Sequence, residues 1–192
     1  LKFKIMTLLI CILALSACGS KPEISIGSDV NVGSSSHPDL TQDKSPNDGF
    51  IGFVVKKENN QVLVVNPNVQ DFSANGGEKY YYSASWYTNV PSNIEIGQKV
   101  EVLAPVGAKI TIYPGRDTAE DIAVIQTPKP DGANLTEEAA IRKALASKEV
   151  AAANFSWPVI KEVKYDVSKS HWAIFITQMS EEKVLEIIVE DK

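Results

Sequence analysis

Five of the fifteen aromatic side chains in this chain fall within eight residues: Tyr80, Tyr81, Tyr82, Trp86 and Tyr87. Rings at that density on one strand must divide between its two faces. An outward set of Tyr80, Tyr82, Trp86 and Tyr87, with Arg116 as a charged neighbour, could stack a sugar or peptide or plug a partner's pocket. The competing use is structural, with one face filling a core and the other packing the loop from Val69 to Gly77. Around Arg116-Asp117 the carboxylates of Glu120 and Asp121 have the chemistry for a hard cation such as calcium. Their spacing lacks the D-x-D-x-D-G pattern and Arg116 supplies a counter-charge, so a solvated turn is the expectation and no metal site is assigned. Catalytic chemistry has little to draw on. His171 has only Ser168 and Ser170 nearby, Glu181-Glu182 falls in an expected hairpin turn, and Gly76-Gly77 lacks the following helix of a phosphate loop. A non-enzymatic protein without a cofactor is expected.

A different chemistry is available at the amino terminus. Lys2 and Lys4 precede an apolar run from Ile5 to Leu15, about eleven residues where a bilayer span needs roughly twenty. Positive, apolar and small-residue segments in that order make a secretory signal. The tetrapeptide Leu15-Ser16-Ala17-Cys18 resembles the lipobox of bacterial lipoproteins. The resemblance implies cleavage between Ala17 and Cys18, with a diacylglycerol on the Cys18 sulfur. Two acyl chains would hold the protein on the outer face of the cell membrane, at roughly 0.8 kcal/mol per buried methylene. The other cysteine, Cys11, leaves with the signal, so the processed chain has no thiol for a disulfide.

The remaining composition narrows the classes further. The 192 residues carry 19 basic and 24 acidic side chains, and removal of residues 1–17 makes the balance more acidic still. Residues 49–127 hold six basic and eight acidic groups, too few cations for a nucleic-acid groove. Residues 18–48 are rich in Ser, Gly, Pro and Asp and contain no Phe, Tyr or Trp, the composition of a flexible linker. His37 lies there as a solvated loop residue.

Positioning the aromatic residues falls to a region of short strands, residues 49–127. Phe50–Val55 and Val62–Val65 flank Glu58-Asn59-Asn60, a hairpin signal. The aromatic segment Lys79–Thr88, the alternating Ile94–Val102 in which Gly97 marks a turn, bulge or close approach, Ile110–Tyr113 and Ile122–Ile125 complete about six strands. Small antiparallel sheets escape exposed edges by closing, so a partly open antiparallel barrel of five or six strands is expected. The opening GFIGFVV, the I-x-x-G-Q-K-V-E-V segment from Ile94, and Tyr113-Pro114-Gly115-Arg116-Asp117-Thr118-Ala119 through Ile122 resemble the YobA-like lipoproteins of Gram-positive bacilli, a domain of unknown function. That resemblance implies an OB-like barrel and a Gram-positive lipid-anchored location, and brings no site residues with it.

Beyond Pro128 and Pro130, residues 128–192 form a second pattern. Thr136 is an N-cap and Glu137 and Glu138 suit the first turn of a helix. Ala140, Ile141, Ala144 and Leu145 give its apolar stripe, with Val150–Ala153 as a possible extension. Strands over Val159–Asp166, His171–Thr177 and Lys183–Val189 make an antiparallel meander, with Trp172, Ile174 and Ile176 facing the helix. One helix on three strands resembles small PepSY-type domains. The fold class is therefore β-rich: a barrel followed by an α+β module. The expected function is a membrane-anchored extracytoplasmic protein that binds another protein or a small ligand; the alternative is regulation of an envelope protease or toxin through residues 128–192.

Overall fold

The computed structural model describes residues 49–105 and 112–192. The signal segment, Ala17, Cys18, the linker, His37 and the start of the Ile110 strand lie outside the described residues. Within them the chain is β-rich, with a six-stranded sheet, a three-stranded sheet and two short helices. No described helix is long and apolar enough to cross a membrane.

The first sheet is built on a hairpin of β1 (Phe50–Glu58) and β2 (Gln61–Gln70). Asn59 and Asn60 turn it with φ of 45° and 65°, the left-handed pair that two-residue hairpins need and that Asn tolerates. The strands β3 (Tyr81–Thr88), β4 (Lys99–Leu103), β5 (Gly115–Thr118) and β6 (Asp121–Val124) complete the order β5-β3-β2-β1-β4-β6. The outermost strands β5 and β6 are separated in the chain by Ala119 and Glu120 alone. Ala119 N–H donates to Thr88 at 3.0 Å and Glu120 N–H to Leu103 at 2.8 Å. Successive amides thus reach opposite halves of the sheet, which must curl until its edges meet at this corner. Among the described residues no ladder joins β5 to β6, so the described strands form an open sheet and not a closed barrel. It is also not wholly antiparallel, because β5 runs parallel to β3.

Two apolar clusters occupy the two faces of this sheet. Val54, Val62, Val64, Tyr87, Val100 and Val102 point into the curl. Phe53, Val55, Leu63, Val65, Tyr82 and Ala84 point outward and join the core of the carboxy-terminal elements. Val62 to Val65 are therefore all 1% exposed or less. An unbroken apolar run is what burial on both faces demands.

The outward face is covered by α1 (Glu137–Leu145), α2 (Lys148–Ala153) and a meander of β7 (Pro158–Asp166), β8 (His171–Gln178) and β9 (Leu185–Glu190). Thr136 caps α1 as expected, accepting from Ala139 N–H at 3.3 Å. Trp172, Ile174 and Ile176 are buried in the same cluster as Ala140, Ile141 and Ala144. The second helix is a separate element. Ser147 accepts from Val150 N–H at 3.2 Å and starts α2 afresh, which stops α1 from running on.

Two contacts fix this arrangement. At Gly97 (φ +96°) the segment between β3 and β4 meets α1: a Cβ there would stand 2.3 Å from the Glu138 carbonyl oxygen, and Arg142 Nε donates to Ile96 O at 3.0 Å. The period-two pattern from Ile94 therefore becomes a turn, and the strand begins only at Lys99. Gly97 is held as well by its N–H to Val54 O at 2.8 Å. The second contact is Asp191, 4% exposed. It accepts from Asn134 N–H (2.7 Å), Leu135 N–H (2.8 Å), Tyr165 Oη (3.1 Å) and Trp172 Nε1 (3.3 Å). Burial alone would raise its pKa, but these donors outweigh burial and hold it below the usual carboxylate value of 3.8.

Two outcomes are expected. Gly97→Ala should cost about 1–3 kcal/mol in urea denaturation, from strain at positive φ and from displacement of α1. Because the folded pKa of Asp191 is depressed, its contribution is full above pH 3.8 and fades as pH falls through the lower folded value. Asp191→Asn should therefore lower the denaturation midpoint at pH 7, with a difference from wild type that narrows below pH 3.8.

Candidate functional site

The aromatic strand divides as its backbone requires. Tyr82 is fully buried in the outward cluster, and Tyr87, 2% exposed, lies in the curl against Phe50 at a ring separation of 6.0 Å. Burial pushes the Tyr87 phenol up to about 12, a shift that a Ser85 hydrogen bond only moderates. Neither ring can meet a partner at the surface, which corrects their place in the expected binding set. The sheet is apolar on both sides, so alternation along β3 carries rings into two cores and not into one core and solvent. The hydroxyl of Tyr82 meets no hydrogen-bond partner among the described residues.

The other three expected residues lie further out. Tyr80 is half-buried at the junction of the two sheets, where its carbonyl accepts from Ser180 N–H at 2.9 Å and Lys79 Nζ stands 5.0 Å from its ring. Trp86 is half-buried against the outward cluster. Arg116 is exposed on β5, and the parallel register sets it directly beside Trp86. Its segment is a strand and not the expected turn. The carboxylates of Asp117 and Asp121 each accept from the next backbone amide, Thr118 at 2.8 Å and Ile122 at 2.9 Å, so they cap local backbone.

A second aromatic set emerges from the packing. Phe72, Tyr81, Tyr113 and Trp157 form a continuous run of edge-on contacts, with centroids 5.3, 5.7 and 5.2 Å apart. Phe72 is 42% exposed and the other three are half-buried. The run crosses from the six-stranded sheet to the start of β7. Tyr113 is locked in it by donating its hydroxyl to Tyr82 O at 3.0 Å. Burial raises its phenol pKa to about 12, with Tyr81 adding to the shift, so this donor stays protonated at neutral pH. The sequence marks Tyr81 through its neighbours and the loop at Phe72 through the expected packing of Val69–Gly77. Nothing local to Tyr113 or Trp157 links them, since 44 positions separate them in the chain.

At the His171 end, Ser168 donates its hydroxyl to Asp166 at 2.6 Å, and the same carboxylate oxygen accepts from the Ser168 and Lys169 amides. These bonds, led by the Ser168 hydroxyl, hold the Asp166 pKa below its ordinary value. The group forms the β7–β8 turn, and Ser168 is already committed to that carboxylate.

Core and surface roles separate experimentally. Tyr82→Ala should cost about 3–5 kcal/mol, as a large core truncation does. Tyr82→Phe should change stability by less than about 1 kcal/mol in the same denaturant titration, because it removes a hydroxyl with no protein partner.

Comparison with known proteins adds one match. No curated protein and no solved structure matches the chain. Residues 51–126 match the family described as "Protein of unknown function (DUF3221)". The match runs from Ile51 in β1 through β6, so the segment that forms the curled sheet is similar to that uncharacterised family.

Proposed function

We propose that this is a lipid-anchored extracytoplasmic binding protein, held to the membrane through Cys18 and meeting its partner with the aromatic run Phe72–Tyr81–Tyr113–Trp157. The finer kinship with YobA-like lipoproteins, and the PepSY-like character of residues 128–192, belong to the same reading. The observation that carries it is the run itself. Four rings in successive contact run from the six-stranded sheet to the start of β7 while keeping partial exposure. Aromatic side chains clustered at a rigid surface supply large contact area at low entropic cost, the property that concentrates binding energy in protein interfaces. Trp86 beside Arg116 on the neighbouring strands offers a second, mixed contact of the same kind. The lipobox tetrapeptide supports the anchor, and the linker composition supports display of the folded unit away from the headgroups.

Two measurements test this. Mass spectrometry of the protein from its native membrane should find diacylglyceryl-Cys18 at the amino terminus, and Cys18→Ala should accumulate the unprocessed chain; an amino terminus elsewhere overturns the anchor. The full chain should retain a discrete envelope component in cross-linking. Phe72→Ser combined with Tyr81→Ser should abolish that retention, and Ile188→Ser on β9, outside the run, should leave it intact. Equal retention by both variants overturns the aromatic surface.

A further inference from the structure

A groove distinct from the aromatic run lies where the two sheets and the two helices meet. It encloses about 420 Å³, within the range of small-molecule sites. Val55 and Val150 form part of its buried floor, and half-buried Ile96, Leu145 and Phe155 are among its walls. Two cations also line it, Lys56 on β1 and Arg142 on α1, with Asn154 as a neutral polar neighbour and no carboxylate. Among the described residues neither cation forms an ion pair.

The position of Lys56 has a specific structural cause. The β1–β2 register slips between Val54 and Lys56, so that Val54 faces Val64 and Lys56 faces Leu63, leaving Val55 as the extra residue of a bulge. In a regular strand Val55 and Lys56 would point to opposite faces. With the bulge both line the same groove. Bulges of this kind re-aim a side chain and recur beside functional sites. Arg142 is fixed by a hydrogen bond from its Nε to Ile96 O at 3.0 Å, which holds it on the groove wall with no ion pair among the described residues.

We propose that this groove binds a free, single-chain acyl carboxylate, its chain along the apolar floor and its head between Lys56 and Arg142. An apolar slot with two unpaired cations and no acid is complementary to one apolar tail carrying one negative head. Its volume suits a small ligand and not a two-chain lipid. This site does not depend on the aromatic run.

The test uses the full chain and a decanoic acid bearing a diazirine on its tail. After photolysis, the label should map to the peptides holding Ile96 and residues 145–155, and decanoate should compete for it where decanol does not. Lys56→Met with Arg142→Met should weaken decanoate competition by about tenfold, the loss typical of charge-assisted contacts. Ala151→Trp, at an exposed position on the groove, should block labelling while circular dichroism shows the native fold. Label distributed elsewhere, equal competition by decanol, indifference to the three substitutions, or labelling by vesicle-embedded phosphatidylglycerol probes alone would each overturn the assignment.

Discussion

Burial of the β1–β2 hairpin on both of its faces is the constraint on which the rest of this structure depends. Val54, Val62 and Val64 fill the curl of the six-stranded sheet, while Phe53, Val55, Leu63 and Val65 meet the carboxy-terminal helices and meander. Each such side chain taken from water contributes about 1.5–3 kcal/mol. A sheet that leaves Leu63 and Val65 uncovered loses much of that gain and presents an apolar face to solvent. The carboxy-terminal elements are therefore part of the core of the first sheet, and the described residues form one compact unit.

That arrangement also explains where the surface features fall. Two sheets closing over a shared core leave seams, and at a seam the side chains from both sides are only partly covered. The aromatic run lies along one seam, joining Tyr113 after the six-stranded sheet's fourth strand to Trp157 before β7. The apolar groove lies along another, between the bulge in β1 and the two helices. Gly97 sets how closely α1 approaches there, because only a residue without Cβ lets the β3–β4 segment touch the Glu138 carbonyl. Asp191 then ties the last residues of the chain to the segment entering α1.

Features governed by local chemistry are legible in the sequence. The Asn59-Asn60 turn, the Thr136 cap and the shared face of Trp172, Ile174 and Ile176 all follow from a few neighbouring residues, and all are present. Features decided by distant partners are not. The polar segment Gly115–Thr118 has no strand signature and becomes β5 only by pairing parallel to β3. In the alternation from Ile94, Gly97 marks a turn, bulge or close approach, but does not reveal that the approach is to a helix more than forty positions away. For the aromatic residues, period two separates the faces of β3 but cannot say that both faces are buried, which removes Tyr82 and Tyr87 from the surface. One available signal bears on this: the uninterrupted Val62–Val65 run, which calls for cover on both sides.

Native-state hydrogen exchange with a single core substitution addresses the shared core most directly. Ile160 on β7 is 1% exposed and belongs to the cluster that holds Leu63 and Val65. With one cooperative core, Ile160→Ala lowers the opening free energy of the Val64 amide in β2 and of the Ile174 amide in β8 by the same amount. A loss confined to β8, with Val64 protected as in the unsubstituted protein, would contradict the account and make the two sheets independent folding units.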